Sequence, residues 1–247
     1  MDFSLIIPAL NEKNRLPGFL SSLVYDLNKI SSVGEIIIVD DGSSITDYQS
    51  YLSLRDMGNN IPIMVLRHHK NLGKGAAIKT GFKVAKGSWI GFVDADGAIS
   101  ATEVIRLLEI ALNSQQIDGV FGARIKMLGY CIKRKFVRHF FGRIFTTLIF
   151  LLLRIPVYDS QCGCKFFRKS KVLPFVDICK EQQYLFDIEL IAMGYFNKLN
   201  FLEVPINWHE VPQGKVHFIR DGFKMLIGLW RIKRRLLNKG CKMNQWI

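Results

Sequence analysis

The sequence predicts an α/β protein with a doubly wound, mostly parallel sheet, and two observations support this prediction. Short apolar runs alternate with amphipathic segments of helical length over the first 124 residues, which is typical of a sheet covered by helices on both faces. Polar residues follow several of the apolar runs directly, as expected where parallel strands end at a common cleft.

The apolar runs are the predicted strands. The most informative run covers residues 89–93, because a continuous apolar segment suits a central strand that is buried on both faces. Asp94, Ala95, Asp96 and Gly97 follow it at once. The other predicted strands cover residues 3–7, 35–39, 63–66 and 119–123.

Helices are predicted between these strands. The first covers about residues 17–31, where apolar residues recur at helical spacing, and Ser43 or Ser44 is expected to cap the second, at 46–57. Two more are predicted at 76–85 and 102–114. Each connects two predicted strands, as the right-handed crossovers of a parallel sheet require.

The composition indicates an anionic partner. The 247 residues are 49% hydrophobic, which fits one large domain or two closely joined lobes and excludes a disordered chain. The chain has 34 Lys and Arg residues and 21 Asp and Glu residues, which gives a net charge of +13. Nucleic acid, nucleotide phosphates and an anionic membrane surface all attract such a protein. Nucleic acid is disfavoured because no zinc-finger, RRM or KH motif is present.

The cysteines and the apolar segments predict a cytoplasmic location, peripheral on the cytoplasmic face of a membrane. None of the five cysteines has the CxxC spacing of a zinc site, and no disulfide framework is suggested. No leader peptide is expected, since Met1 and Asp2 lead straight into the first strand. The most apolar stretch, 144–153, is too short to span a bilayer.

Polar side chains follow four predicted strands and are expected to share one site. They are Asn11 and Glu12, Asp40 and Asp41, Asp94 and Asp96, and Arg124. The carboxyl ends of parallel strands lie along one edge of a sheet, so these groups meet despite their separation in sequence. Two aspartates two residues apart suit a hard cation such as Mg²⁺ or Mn²⁺, although an acidic turn has the same pattern.

Lys74 lies in a glycine-flanked loop, Asn71-Leu72-Gly73-Lys74-Gly75, that opens a predicted helix. Backbone N–H groups at a helix N-terminus favour an anion, and a lysine adds a point charge. Lys74 is therefore predicted to bind a phosphate. A solvated loop lysine is the alternative.

Two segments of the second half, 133–153 and 218–237, are predicted as basic amphipathic helices. Such helices suit a membrane interface. A helix packed on the core with a solvated basic face is the alternative, and the repetition of the pattern favours the membrane. The basic residues of the first segment are Lys133, Arg134, Lys135, Arg138, His139 and Arg143, and Trp230 lies among the cations of the second.

Several motifs together resemble the family-2 glycosyltransferases with the GT-A fold. Within that family they are similar to the polyprenyl-phosphate hexosyltransferases, most of all the dolichyl-phosphate β-glucosyltransferase branch. The resemblance covers about residues 3–236. The motifs are Ile7-Pro8-Ala9-Leu10-Asn11-Glu12, Val39-Asp40-Asp41-Gly42-Ser43, the Lys74 loop, Asp94-Ala95-Asp96-Gly97-Ala98, residues 159–167, residues 186–190 and residues 203–208.

The resemblance implies a nucleotide-sugar donor, a divalent metal, inversion at the anomeric carbon and a lipid-phosphate acceptor. It implies that Asp94 and Asp96 lie at the metal and the diphosphate, and that Arg124 faces a phosphate. Ala98 replaces a polar side chain found in mannosyltransferase relatives, which favours a glucose donor. The residues implied to bind the base and ribose are Pro8, Glu12, Asp40 and Asp41, and Asn11, in the loop after the first strand, is expected to bind substrate at the same site.

The nature of the acceptor decides which further groups are needed. A lipid phosphate is already an anion and needs cations to position it, for which Arg124, Lys133, Arg134 and Arg138 are predicted. A hydroxyl acceptor needs a general base, and Asp187 is preferred over Glu189. With a phosphate acceptor, Asp187 would orient the sugar hydroxyls. Gln161 and Lys165 are predicted either to close over the donor or to support packing.

The predicted function is an inverting, metal-dependent transfer of a hexose, glucose from UDP-glucose, to a polyprenyl or dolichyl phosphate at a membrane surface. Residues 1–124 form the predicted nucleotide-sugar half and residues 125–247 the acceptor and membrane half of one catalytic domain. A soluble, glycan or protein acceptor is the enzymatic alternative. A basic binding or scaffold protein is the non-enzymatic one.

Overall fold

A computed structural model describes residues 1–133, 136–211 and 218–238, without the side chains of 133–141 and 218–224. The strands are β1 (Phe3–Ala9), β2 (Gly34–Asp40), β3 (Ile63–Arg67), β4 (Trp89–Val93), β5 (Gly119–Ala123), β6 (Ile132–Lys133), β7 (Cys164–Arg168), β8 (Phe201–Pro205) and β9 (Trp208–His209). The helices are α1 (Leu16–Leu27), α2 (Ile45–Leu52), α3 (Lys74–Val84), α4 (Ala101–Asn113), α5 (Phe136–Leu153), α6 (Lys169–Val176), α7 (Phe186–Phe196) and α8 (Phe218–Asn238).

Seven strands form one sheet in the order β3-β2-β1-β4-β7-β5-β8, and β6 pairs with β9 beside it. All neighbours in the large sheet are parallel except β7, which runs antiparallel between β4 and β5. The predicted doubly wound, mostly parallel sheet is confirmed. The position of β7 was not predicted, and it brings a strand from beyond residue 124 into the middle of the sheet.

The core lies in two layers, one on each face of the sheet. Helices α1 and α4 cover one face, where Leu20, Leu23 and Leu107 are fully buried. Helices α3, α7 and α8 cover the other, where Phe82, Phe167 and Ile188 are fully buried. Every residue of α7 from Phe186 to Gly194 is buried, including Asp187 and Glu189, so this helix lies inside the protein.

Some observed helices end at other residues than predicted, because capping contacts set where they end. Helix α1 ends at Leu27 instead of residue 31, because the Asn28 side chain donates a hydrogen bond to the Val24 carbonyl. Ser44 caps α2 by accepting a hydrogen bond from the Asp47 N–H, as predicted. The predicted helix at 46–57 divides into α2 and a 3₁₀ turn over Ser53–Gly58.

The two helices of the second half, α5 and α8, pack against each other. Both contribute fully buried side chains to the core, including Ile149 and Leu229. Among their described side chains, the large apolar residues that are exposed are Ile144, Phe150, Leu151, Leu226, Ile227, Trp230 and Leu237. Among the described residues, no helix is long and apolar enough to cross a bilayer.

Candidate donor-binding and transfer site

Asp40 is the last residue of β2 and Asp41 follows it, and both are buried. Asp40 Oδ1 accepts a hydrogen bond from the Ser43 N–H at 2.9 Å, and Asp40 Oδ2 lies 3.2 Å from Arg67 Nε. The Arg67–Asp40 contact is an ion pair, but its geometry is not that of a hydrogen bond. Oδ2 therefore has no hydrogen-bond partner within the described part of the chain. A buried acceptor without a partner is suited to the N–H group of a ligand.

Asp41 holds the loop that carries Lys74. Its carboxylate accepts hydrogen bonds from the N–H groups of Leu72 and Gly73, at 2.9 and 2.8 Å. His68 adds a third contact, with Nδ1 2.8 Å from Asp41 Oδ1 and Nε2 2.9 Å from Thr80 Oγ1. Sequence reasoning interpreted His68 only as half of a loop pair with His69, and missed that it fastens Asp41 to α3.

The end of β1 is tied to the same turn. Asn11 has a φ of 52°; its N–H donates to Ser43 Oγ at 2.9 Å, and its Oδ1 accepts from the Ser44 N–H at 3.1 Å. The Glu12 N–H donates to the Tyr51 hydroxyl at 2.7 Å, and burial raises the pKa of that hydroxyl to about 12.

Two further features complete this end of the site. The Glu12 carboxylate accepts hydrogen bonds from Arg15 Nε at 2.6 Å and Nη2 at 2.5 Å. Pro8 lies opposite Val39 within the sheet. Of the donor-site residues predicted from sequence, Asn11 is joined by direct hydrogen bonds to Ser43 and Ser44 in the turn after Asp41, whereas the Glu12 N–H is bonded to Tyr51 on α2.

Lys74 begins α3, and its ammonium Nζ lies 2.5 Å from Asp94 Oδ1. Burial by itself would lower the pKa of Lys74, but the carboxylates of Asp94, Asp187 and Asp96 outweigh it and the pKa lies above its ordinary value. Lys74 therefore stays charged and is directed into the cleft. The alternative of a solvated loop lysine does not describe it.

Asp94 and Asp96 follow β4 and lie close enough to affect each other's charge. Burial, together with the negative charge of Asp94, raises the pKa of Asp96, although its Oδ1 accepts a hydrogen bond from the Ala98 N–H at 3.0 Å. A cation would relieve the repulsion between these carboxylates. Within the described residues no group of three or more His, Cys, Asp or Glu side chains could hold a metal. The pair fits a divalent ion whose other ligands are phosphate oxygens and water.

The chain just before β7 closes over Asp94. The Asp94 N–H donates to the Gly163 carbonyl at 3.0 Å. A Cβ atom at position 163 would lie only 2.1 Å from Asp94 Oδ2, so the carboxylate lies directly against this glycine and a larger residue would displace it. Gln161 is half-buried in the turn that precedes this glycine.

Lys165 and Asp187 form a buried ion pair behind the cleft. Lys165 Nζ lies 3.0 Å from Asp187 Oδ2 and donates to the Cys162 carbonyl at 2.6 Å. The Lys165 side chain is fully buried. This pair fixes the direction of Asp187, which lies in the first turn of α7.

Glu189 faces a different set of partners from Asp187. Its Oε2 accepts hydrogen bonds from the N–H groups of Lys180 and Glu181, and its Oε1 lies 2.9 Å from Arg235 Nε. Glu189 therefore joins α7 to α8. The choice of Asp187 as the residue that acts on the substrate stays a prediction.

Arg124, at the end of β5, pairs with Asp159. Burial works against its charge, but the Asp159 carboxylate outweighs burial and the pKa of Arg124 lies above its ordinary value. The guanidinium also lies 5.5 Å from the centre of the Trp208 ring. The phosphate contact predicted for Arg124 stays a prediction, and Asp159 is a partner that sequence reasoning missed. Arg134 lies outside the described residues, and so does the side chain of Arg138.

This fold is that of the GT-A glycosyltransferases. Mannosyl-3-phosphoglycerate synthase from Rubrobacter xylanophilus superposes with a TM-score of 0.70 at 17% identity, over 100% of this chain and 77% of the other. Glucosyl-3-phosphoglycerate synthase from Mycobacterium tuberculosis, solved with UDP, gives a TM-score of 0.67 at 16% identity, over 98% and 81%. At these identities the likeness concerns the fold alone.

Residues 4–173 match the glycosyl transferase family 2, and the chain belongs to that family. It is therefore a glycosyltransferase, and the scaffold-protein alternative is set aside. Similar curated proteins include the dolichyl-phosphate beta-glucosyltransferases of Saccharomyces cerevisiae, at 29% identity over 96% of this chain and 78% of the relative, and of Drosophila melanogaster, at 30% over 94% and 78%. The human dolichyl-phosphate beta-glucosyltransferase is 28% identical over 94% and 78%. The resemblance identified from the motifs is confirmed.

Proposed function

We propose that this protein transfers glucose from UDP-glucose to dolichyl phosphate or another polyprenyl phosphate at a membrane surface. The observation that carries the proposal is a continuous row of contacts from Asp41, through the Lys74 loop, to Asp94. The row joins a polar pocket suited to a nucleoside with a charged cleft suited to a diphosphate. The dolichyl-phosphate beta-glucosyltransferases of yeast and fly, which match nearly the whole chain, support the choice of sugar and acceptor.

The nucleoside is proposed to bind between the ends of β1 and β2. Asp40 Oδ2 is buried without a hydrogen-bond partner among the described residues, and it is proposed to accept the N–H of uracil. Pro8 and Glu12 would border the base, and Asn11 and Asp41 the ribose. A solved protein of the same fold, glucosyl-3-phosphoglycerate synthase from M. tuberculosis, was crystallised with Mn²⁺ and UDP-glucose, which supports this class of donor.

Asp94 and Asp96 are proposed to hold Mg²⁺ or Mn²⁺ together with the donor diphosphate. The bound ion would stabilise the negative charge that the diphosphate carries as it leaves. Lys74 adds its own positive charge on the same side of the cleft. Asp187, kept in one orientation by Lys165, is proposed to hold the sugar hydroxyls.

The acceptor phosphate is proposed to attack the anomeric carbon from the face opposite the leaving diphosphate. A bond from a phosphate oxygen to that carbon forms as the bond to the UDP oxygen breaks, so the configuration inverts and UDP leaves. The nucleophile is already anionic at neutral pH and needs no general base. Arg124, Arg134 and Arg138 are the proposed cations for its charge, and Gln161 is proposed to close over the donor.

Helices α5 and α8 are proposed to lie on an anionic membrane surface as a peripheral contact. Their exposed apolar residues include Phe150, Ile227 and Trp230, and Arg234 lies beside Trp230, 5.9 Å from its ring centre. Apolar and aromatic side chains next to cations are typical of interfacial helices. The lipid acceptor would then be brought to the cleft from the membrane.

A transfer assay with matched acceptors tests the proposal. Purified protein with Mn²⁺ is given UDP-glucose or GDP-mannose, together with polyprenyl phosphate in detergent or with 3-phosphoglycerate. We expect a glucosyl lipid from UDP-glucose and polyprenyl phosphate, and little product in the other three mixtures. Transfer to 3-phosphoglycerate alone would overturn the lipid acceptor, and transfer from GDP-mannose alone would overturn the donor.

A further inference from the structure

The ammonium of Lys74 lies against an oxygen that a divalent ion would need. Its Nζ is 2.5 Å from Asp94 Oδ1, and Asp94 Oδ2 lies against the Gly163 backbone. One oxygen of this carboxylate therefore faces a cation and the other faces protein. A divalent ion bound at Oδ1 would lie close to this ammonium and would be repelled by it.

The main chain at Lys74 is fixed, so only its side chain is free to change position. Asp41 accepts hydrogen bonds from the N–H groups of Leu72 and Gly73, and Gly73 has a φ of 108°. The Ala76 N–H donates to the Gln182 carbonyl at 3.0 Å. A Cβ at Gly75 would lie 2.4 Å from Phe186 Cβ, so the loop also packs closely on the start of α7.

We propose that Lys74 is an internal counter-cation of Asp94, which competes with the divalent ion and is drawn away by the donor diphosphate. This inference rests on the proposed function, because it takes the metal and the diphosphate as the ligands of the cleft. It adds an order of events: Asp94 becomes a full metal ligand only when the diphosphate has given Lys74 a second anion to pair with.

The reason is that Lys74 lies between two anionic partners. Asp94 holds it within the protein, and a diphosphate near the start of α3 would attract it more strongly, since a diphosphate carries more negative charge than one carboxylate. The metal and the nucleotide then each increase the affinity of the protein for the other, by more than their direct contact alone would give. Linkage requires the coupling to be the same in either order of binding.

Mn²⁺ binding to the full chain tests the inference without relying on turnover. Free Mn²⁺ is measured by its electron paramagnetic resonance signal during titration of the wild type and of Lys74→Met, each with and without saturating UDP. Lys83→Met is the matched control, because Lys83 lies in the last turn of the same helix and its ammonium pairs with Asp177 at 2.8 Å. Lys74→Arg keeps the charge, and circular dichroism verifies that each variant is folded.

Without UDP, we expect Lys74→Met to bind Mn²⁺ about tenfold more tightly than the wild type, since one positive charge next to the ligand has gone. Lys83→Met and Lys74→Arg should stay close to the wild type. The factor by which UDP tightens Mn²⁺ binding should be smaller in Lys74→Met. A folded Lys74→Met that binds Mn²⁺ no more tightly than the wild type would overturn the inference while leaving the proposed function intact. A wild type that binds no Mn²⁺ even with UDP would instead overturn the metal site itself.

Discussion

The guanidinium of Arg124 donates two hydrogen bonds to the carboxylate of Asp159, from Nε at 2.6 Å and from Nη2 at 2.7 Å. The Arg124 backbone N–H adds a third, at 2.9 Å. The N–H groups of Tyr158 and Asp159 in turn donate to Glu203, both at 2.7 Å. The pair therefore connects the end of β5 with β8 and with the segment that leads into β7.

The first prediction concerns the stability that this pair provides. Asp159→Asn leaves the Arg124 charge buried without its partner, and we expect the free energy of unfolding to fall by roughly 3–5 kcal/mol. Urea denaturation of the wild type and of the variant measures this loss in the free energy of unfolding. Asp177→Asn is the control, because the Asp177–Lys83 pair is exposed and an exposed pair contributes less than about 1 kcal/mol. Equal losses in the two variants would contradict the prediction.

The second prediction is the pH dependence of the same contact. Burial alone would raise the pKa of Asp159, but Arg124 outweighs burial and lowers the pKa to about 2. A carboxyl group with a lowered folded-state pKa stabilises the fold above its unfolded-state pKa, near 3.9, and loses that contribution as the pH falls to about 2.

The difference in stability between wild type and Asp159→Asn should therefore narrow by about 2 kcal/mol between pH 5 and pH 2. Urea midpoints taken along this range measure the difference. A gap that stays constant down to pH 2 would show that Asp159 is not the group that titrates.

The ends of the parallel strands were the part of the site that sequence could predict. A strand buried on both faces is a continuous apolar run, and the first polar residue after it marks the cleft, as Asp40 and Asp94 do. The contact between Asn11 and Ser43 then follows, because parallel neighbours end at the same edge.

The residues that were missed depend on contacts between distant segments. Asp159 faces Arg124 only because β7 enters the sheet antiparallel between β4 and β5, and no local pattern encodes that pairing. His68 lies in a stretch with the composition of a loop. Its role in holding Asp41 depends on a contact with Thr80, which lies on α3 twelve residues later. From the local sequence, Lys165 is only a charged residue in a short strand. Its side chain is fully buried because it pairs with Asp187, which comes from a distant part of the chain.

The third prediction concerns the metal. Asp96→Asn removes one of the two proposed carboxylate ligands, and excess chelator removes the ion. We expect each to lower glucosyl transfer at least about 100-fold, because the leaving diphosphate then lacks its counter-charge. Asp56→Asn, in the exposed part of the 3₁₀ turn, is the control. Full turnover of the wild type in excess chelator would contradict the prediction.

The fourth prediction separates a supporting role of Asp187 from general-base catalysis. Asp187→Asn leaves the Lys165 ammonium buried without a charged partner, so we expect a loss of about 3–5 kcal/mol in the free energy of unfolding. Lys165→Met combined with Asp187→Asn should recover much of it, because no unpaired charge is then buried.

The pH profile of transfer supplies the second measurement for Asp187. With a phosphate acceptor, the acidic limb should have the same shape in the wild type and in Asp187→Asn, although the rates differ. Loss of that limb in the variant would identify Asp187 as the general base and would favour a hydroxyl acceptor.

The last prediction concerns the membrane. Trp230 and Ile227 are 58% and 46% exposed on α8, and replacing both by Ser should remove apolar contact with a bilayer while leaving the donor site intact. We expect weaker binding to anionic vesicles and a parallel loss of transfer to polyprenyl phosphate. The rise in melting temperature caused by UDP should not change. Tyr25→Ser is the control, because Tyr25 is 67% exposed on α1, which covers the opposite face of the sheet.

Measuring vesicle binding at low and high salt separates its electrostatic contribution from its apolar contribution. Each Lys or Arg close to an anionic surface contributes about 1 kcal/mol, and salt screens that attraction. The apolar contribution of Trp230 and Ile227 is not screened. Wild-type binding should therefore weaken in high salt without vanishing, whereas the double variant should lose a larger share of its binding in high salt. If the double variant binds vesicles and glucosylates polyprenyl phosphate as well as the wild type does, α8 is not the membrane contact, and a soluble acceptor becomes the better explanation.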